Sequence, residues 1–302
     1  MGTRRLSRLL AGLLLAVVLL APGAALAQTR CFVGIPPLAW FVERLAGPLA
    51  QAQIVAPPGA SPHTFEPTPK QVAALGQGQV YFSLRLPFEE KIMPKVLAAN
   101  PGLRLVDLTQ GMAFRQLSEE EAEADEAGHG HDRSHDQGHG QADPHVWLSP
   151  AQARIMAANL AGGLAAADPA QAGQYQANLA RLEEEIAALD RRLAAVLGPL
   201  KGREFLVYHP AFGYLGEAYG LKQVPVEIQG KEPGPKRLAR LIETARKRGA
   251  RVIFVQPQFP AGSARRLAEA IGGAVVPLDP LARDWAANLE RLAREIETGL
   301  KP

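Results

Sequence analysis

The chain has 302 residues, a formal net charge of +3 and a single cysteine. One cysteine excludes an internal disulfide and a zinc site built on several thiolates, so a bound metal would have to be held by nitrogen and oxygen. The charge is no argument for nucleic acid. Residues 1–27 carry Arg4, Arg5 and Arg8 and no acid, and without those three arginines basic and acidic residues balance.

The first residues, MGTRRLSRLLAGLLLAVVLLAPGAALAQ, read as an export signal: a positive start, an apolar run from Leu9 to Leu20, and the A-x-A cleavage pattern Ala25-Leu26-Ala27. The run is shorter than the ~20 residues a membrane-spanning helix needs, and Pro22 and Gly23 end it. Cleavage after Ala27 is therefore expected. Cys31 follows Gln28, Thr29 and Arg30, not the small apolar residues that precede a lipid-modified cysteine. In the apolar stretch CFVGIPPLAW it reads as a buried small hydrophobe.

The remaining ~275 residues suit two lobes of ordinary domain size. Short β-branched runs bounded by Pro or Gly alternate with helical stretches, which predicts α/β lobes with mainly parallel sheets. In the first half, strands are expected at 30–34, 53–56, 80–83 and 103–107, and helices at 38–46, 69–75 and 88–99. The segment from Ser118 to Ala142 has almost no apolar content and is expected to be a mobile loop. Ser149 caps and Pro150 opens a helix running to about Ala166.

The longest helical stretch is Pro169 to Leu197, with larger apolar residues at Leu179, Leu182, Ile186, Leu189, Leu193 and Val196. That seam is shorter than the three to four heptads of a coiled coil, and at ~1.5 Å per residue the helix reaches roughly 40 Å. It is expected to be a spine linking the lobes. The resulting division is 28–167 for the N-terminal lobe, 168–198 for the linking helix and 199–302 for the C-terminal lobe. The second half repeats the pattern, with strands at 204–208, 222–226, 252–256 and 274–278 and helices at 214–219, 236–248, 263–271 and 285–300.

Seven histidines are spread unevenly over these elements. His129, His131, His135 and His139 share one acidic, glycine-punctuated tract, while His63, His145 and His209 stand alone, each beside a proline. Imidazole is the commonest protein ligand for zinc and related metals. On composition alone the tract is either a solvated linker or a weak accessory metal site. The three single histidines fall in loop mouths: His63 after the strand QIVA, His145 just before a helix, His209 at the end of EFLVYH. Asp279 ends AVVPLD, where an aspartate before proline also suits a turn. Ligands of open α/β sheets gather outside the carboxyl ends of the strands, so these four residues, two from each half, are the candidate metal ligands. Glu66, three residues after His63, either orients a ligand or caps a helix, with capping the preferred reading.

Five spaced segments, SPHTFEPTP, DPHVWLSP, YHPAFGYLGEAYGL, QGKEPGPKRLARLIETARKRGARVIFVQPQF and VVPLDPLARDW, resemble the motifs of the cluster A-I substrate-binding proteins of ABC importers. The match is closer to the zinc-binding type, in which an acidic His-rich loop precedes the second ligand histidine. The resemblance spans essentially the whole chain after residue 27. It implies two Rossmann-like lobes joined by one long helix, with Zn²⁺ held in the interlobe cleft by His63, His145, His209 and Asp279. It also implies a monomer in the periplasm that passes its metal to a membrane permease and ATPase and performs no catalysis. Manganese-type members usually carry glutamate where this chain has His209; three imidazoles and one carboxylate suit zinc better. Three rivals remain: a different divalent metal on the same site; a zinc hydrolase with three histidines and an open fourth position, though no HExxH helix is present; and a periplasmic metal buffer or surface adhesin with no transporter. The chain departs from the family pattern in lacking the cysteine pair of some members, and YFSLRLPFEEKIM is expected to alter the cleft rim.

Overall fold

The computed structural model describes residues 28–125, 142–227, 234–247, 249–259 and 261–301. In the first lobe β1 (Thr29–Val33), β2 (Ala50–Ile54), β3 (Val80–Ser83) and β4 (Arg104–Asp107) form a parallel sheet in the order β2-β1-β3-β4. In the second, β5 (Glu204–Val207), β6 (Lys222–Pro225), β7 (Val252–Val255) and β8 (Ala274–Pro277) repeat that order as β6-β5-β7-β8. Both sheets are parallel throughout, so each connection is a crossover and the strand mouths of a lobe share one edge.

The helices begin where the sequence supplies a start signal. Pro lies in the first turn of α1 (Pro36–Ala46), α2 (Pro69–Leu75) and α3 (Pro87–Ala99), where its missing N–H costs nothing. Thr68 and Gln71 close a reciprocal capping box at α2. Glu66 neither caps a helix nor touches the histidines; it pairs with Lys91 at 2.6 Å on the surface. That corrects the capping expectation.

The stretch from Ser118 differs from the loop expected of it. Glu119–Asp125 forms a helix, α4, and Gln116 bridges antiparallel to Ala142. Composition misled here because one buried acid, Glu121, bonds reciprocally with Ser118 at the helix start and is satisfied further by Arg115 and the distant Gln223. His129, His131, His135 and His139 lie outside the described residues.

Beyond it run α5 (Pro150–Ala167) and the long helix α6 (Ala172–Leu197), preceded by a 3₁₀ turn at Pro169–Gln171. Five of the six seam residues of α6 are fully covered, from Leu179 to Leu193. They pack against α1 and α5 of the first lobe and against α10 (Trp285–Leu300) of the second. The helix is a spine shared by both lobes, not half of a coiled coil. Between β5 and β8 lie α7 (Gly213–Ala218), α8 (Pro235–Lys247) and α9 (Gly262–Ile271). Cys31 is fully buried in β1, and burial pushes its thiol up to about 12, as expected of an inert core residue.

The lobes are cemented next to the cleft. Trp147 Nε1 donates to the Pro280 carbonyl at 2.9 Å, and Trp285 Nε1 donates to the Trp147 carbonyl at 2.6 Å. Trp285 also packs on Trp40 and Phe41 of α1, and Arg283 pairs with Glu43 across the same boundary. Two buried indoles, each bonded to the opposite lobe, oppose a wide hinge opening.

Candidate metal centre

His63 sits on the loop after β2, His145 at the entrance to the 3₁₀ turn Val146–Leu148, and His209 two residues past β5. Their Nε2 atoms converge from both lobes: His63 to His145 at 3.1 Å, His63 to His209 at 3.2 Å, and His145 to His209 at 3.2 Å. Among the described residues these three form the group able to offer one ligand atom each within 4.8 Å of one another. His145 and His209 are buried and His63 is half-buried.

The other ring nitrogens explain the orientation. His145 Nδ1 faces Asp143 Oδ1 at 2.7 Å, and the same oxygen accepts the His145 backbone N–H at 2.9 Å. His209 Nδ1 faces Glu227 Oε1 at 2.5 Å. Gln256 clamps the His209 backbone from both sides, accepting from its N–H and donating to its carbonyl, while Phe259 stacks on the ring. A carboxylate accepts, so both Nδ1 atoms carry a proton and each ring turns its Nε2 toward the centre. Burial works to raise the Asp143 carboxyl, but His145 and Arg115 outweigh it and hold it below the usual range.

The three Nε2 atoms lie within 3.2 Å of one another, and one metal ion can meet all three at once. Zinc–imidazole bonds of ~2.0–2.1 Å in a tetrahedron place neighbouring nitrogens about 3.3 Å apart, close to the triangle observed. Beside the rings, Trp147, Gln258, Phe259 and Leu281 help enclose a cavity of about 20 Å³, room for a single ion or water. The set is wholly nitrogen, which fits zinc or a neighbouring transition metal and disfavours Ca²⁺ or Mg²⁺.

Asp279 follows β8 as expected but stands outside this group of three. Its Oδ1 accepts from Gln258 Nε2 at 2.9 Å and from the Leu281 backbone N–H at 2.9 Å, and its carbonyl accepts from Asn288. Asp143, Glu227 and Gln256 are not among the residues that the sequence pattern singles out. Asp143 had a visible signal, a carboxylate two residues before a candidate ligand. Glu227 and Gln256 had none, because the sheet register brings them to His209. β5 pairs with β6 at an offset of 18 and with β7 at an offset of 47, in Glu204↔Lys222 and Leu206↔Ile253. Carried past the strand ends, those offsets set positions 227 and 256 on either side of 209.

Part of the segment from Tyr81 to Met93 borders the cleft beside His63. Arg85 takes a left-handed conformation, φ 59°, and with His63, Leu84, Pro87, Phe114 and Pro144 it borders a groove of about 260 Å³. Beneath it the fully buried Glu89 accepts from Tyr81 Oη, Ser83 Oγ and the backbone N–H groups of Leu84 and Leu86.

Two parallel α/β lobes on a common helical spine, with three imidazoles meeting between them, define a two-lobed metal-binding protein of the substrate-binding type. Comparisons agree. The family model "ZnuA: Zinc-uptake complex component A periplasmic" matches residues 32–299, and the chain belongs to that family. It is 30% identical over 284 residues to the high-affinity zinc uptake system protein ZnuA of Yersinia pestis, covering 89% of this chain and 88% of that one. It is also 30% identical to the zinc-binding lipoprotein AdcA of Streptococcus pneumoniae, spanning about half of that protein, 48%. A crystal structure of ZnuA superposes with a TM-score of 0.80 at 35% identity, covering 90% of this chain and 99% of that one. A zinc-bound ZnuA deletion mutant superposes at 0.79 with 35% identity, covering 91% and 100%.

Proposed function

We propose that the chain captures zinc in the interlobe cleft through His63, His145 and His209 and delivers it to an ABC-type membrane importer. The observation that carries this reading is the Nε2 triangle from both lobes, whose spacing suits one tetrahedral ion. Protons compete for the same nitrogens, so capture weakens below the ordinary imidazole pKa of ~6.5. Asp279 is the proposed fourth ligand, reached when its carboxylate turns away from Gln258 and the Leu281 N–H. The lobes are read as 28–167 and 199–302, joined by 168–198. Residues 1–27 are read as a signal peptide cleaved after Ala27, and the protein works as a periplasmic monomer. His129, His131, His135 and His139 are proposed to hold further ions weakly. Membership of a zinc-uptake family supports a transport component over a hydrolase, and no observation favours the hydrolase.

Metal analysis of protein purified without added metal, followed by competition titration against a chromophoric chelator, tests the proposal. Wild type is expected to hold one tight zinc, His209→Ala to lose it, and Asp279→Ala to bind more weakly. Tight zinc in His209→Ala would overturn the site. Unchanged affinity in Asp279→Ala would leave a three-histidine site closed by a small exogenous ligand.

A further inference from the structure

One guanidinium sits behind two of the three histidines. Arg115, with its side chain only 10% exposed, meets a carboxylate from each of three segments: Asp143 Oδ2 at 2.5 Å, Glu121 Oε2 at 2.9 Å and Glu217 Oε1 at 2.8 Å. Burial works against its charge, yet Asp143, Glu217 and Glu121 together push its pKa upward. The backbone joins in: the Arg115 N–H donates to Tyr214 Oη, and Tyr214 Oη donates to the Asp143 carbonyl. A Cβ at Gly213 would collide with the guanidinium, so the glycine is what lets α7 approach it.

Two chains of contacts lead from Arg115 to the metal ligands. The first is short: Asp143 spends one oxygen on Arg115 and the other on His145. The second crosses the lobe boundary. Glu121, in the first turn of α4, binds Arg115 with both oxygens and accepts from Gln223 Nε2 at 2.8 Å. Gln223 in turn donates to the Pro210 carbonyl and accepts from the Phe212 N–H, holding the backbone directly after His209. The helix at the foot of the His-rich segment is thereby wired to a ligand in each lobe.

We propose that Arg115 is an interlobe positioning residue for the metal site, setting the ring orientation of His145 through Asp143 and the placement of His209 through Glu121 and Gln223. The proposal rests on these histidines being the metal site. It also makes α4 part of the binding apparatus, distinct from any weak affinity of the histidines that follow it. A neutral residue at 115 leaves Asp143 and Glu121 buried without their cation. Asp143 then loses the contact that fixes its second oxygen and is free to turn, so the His145 Nδ1–H loses its fixed acceptor.

The test uses Arg115→Met, Arg115→Lys, Glu121→Ala and the Arg115→Met/Glu121→Ala pair in the full exported chain. Zinc affinity is read by chelator competition, site geometry by the visible spectrum of the Co²⁺-loaded protein, and the His145 tautomer by ¹⁵N NMR of the metal-free protein. Expected are a loss of about 10–100-fold in affinity for Arg115→Met, a mixed His145 tautomer, an altered Co²⁺ spectrum and partial recovery in Arg115→Lys. Glu121→Ala keeps the short chain intact and is expected to lose several-fold, less than additively with Arg115→Met. Wild-type affinity and tautomer in folded Arg115→Met would overturn the proposal, as would strict additivity of the pair. Should Arg115→Met not fold, wild-type affinity in Glu121→Ala would overturn it. The tautomer is read without metal, so it separates failure of this proposal from failure of the zinc assignment.

Discussion

Glu89→Gln probes the support of the cleft rim, and its effect changes with pH. Burial pushes the Glu89 carboxyl from its ordinary 4.5 up to about 7, against the pull of its four hydrogen-bond donors. In the unfolded chain the group ionises near 4.5, while in the fold it keeps its proton to about 7. Between those values the unfolded state binds fewer protons than the native one, so this group's contribution to stability is full below 4.5 and is lost as pH rises to 7. At ~1.4 kcal/mol per pH unit the loss amounts to roughly 3 kcal/mol. Glutamine fits the same cage: its carbonyl takes the Oε2 position, accepting from Ser83, Leu84 and Leu86, and its amide donates to Tyr81 Oη. Equilibrium urea unfolding of metal-free protein near pH 4.5 and near pH 8 provides the measurement. The variant should match wild type at the lower pH and exceed it by about 1–3 kcal/mol at the higher. A variant less stable than wild type by the same amount at both values would refute the reasoning, since it would mean that the four donors hold Glu89 ionised throughout.

Three further outcomes follow from the site and the spine. Glu227→Ala strips the acceptor from His209 Nδ1 and should weaken zinc about 10–100-fold in a competition titration, with Glu227→Gln losing less because its amide oxygen still accepts. Removing residues 126–141 should lower total zinc stoichiometry yet leave one tight site at wild-type affinity, whereas removing 118–142 also takes Glu121 and should weaken that site. Ile186→Ala, on the buried seam of α6, should cost about 2–5 kcal/mol in chemical unfolding while one zinc per chain is retained.

Much of the architecture was legible because it depends on local signals. β-branched runs bounded by turns marked seven of the eight strands, with β2 beginning three residues before the stretch expected of it, and β3, α2 and α10 match the expected ranges residue for residue. Seam spacing identified α6, though which partners it served had to come from the packing. The segment after Ser118 misled for a physical reason. Composition measures how much apolar surface a stretch can bury, and α4 is held instead by one glutamate that bonds reciprocally with Ser118 and also meets residues 115 and 223.

The sequence by itself determined what metal chemistry is open to this protein: no thiolate pair, three isolated histidines at strand and turn mouths, and a balance of charge once the first 27 residues are set aside. Only the tertiary structure decided that the three imidazoles meet at one point while Asp279 is engaged beside them. It alone revealed Glu227, Gln256 and Arg115 as the groups that aim and tie the ligands. Local sequence fixes how a residue can behave, but strand register and the contact between lobes fix what it faces, and those are properties of the whole chain.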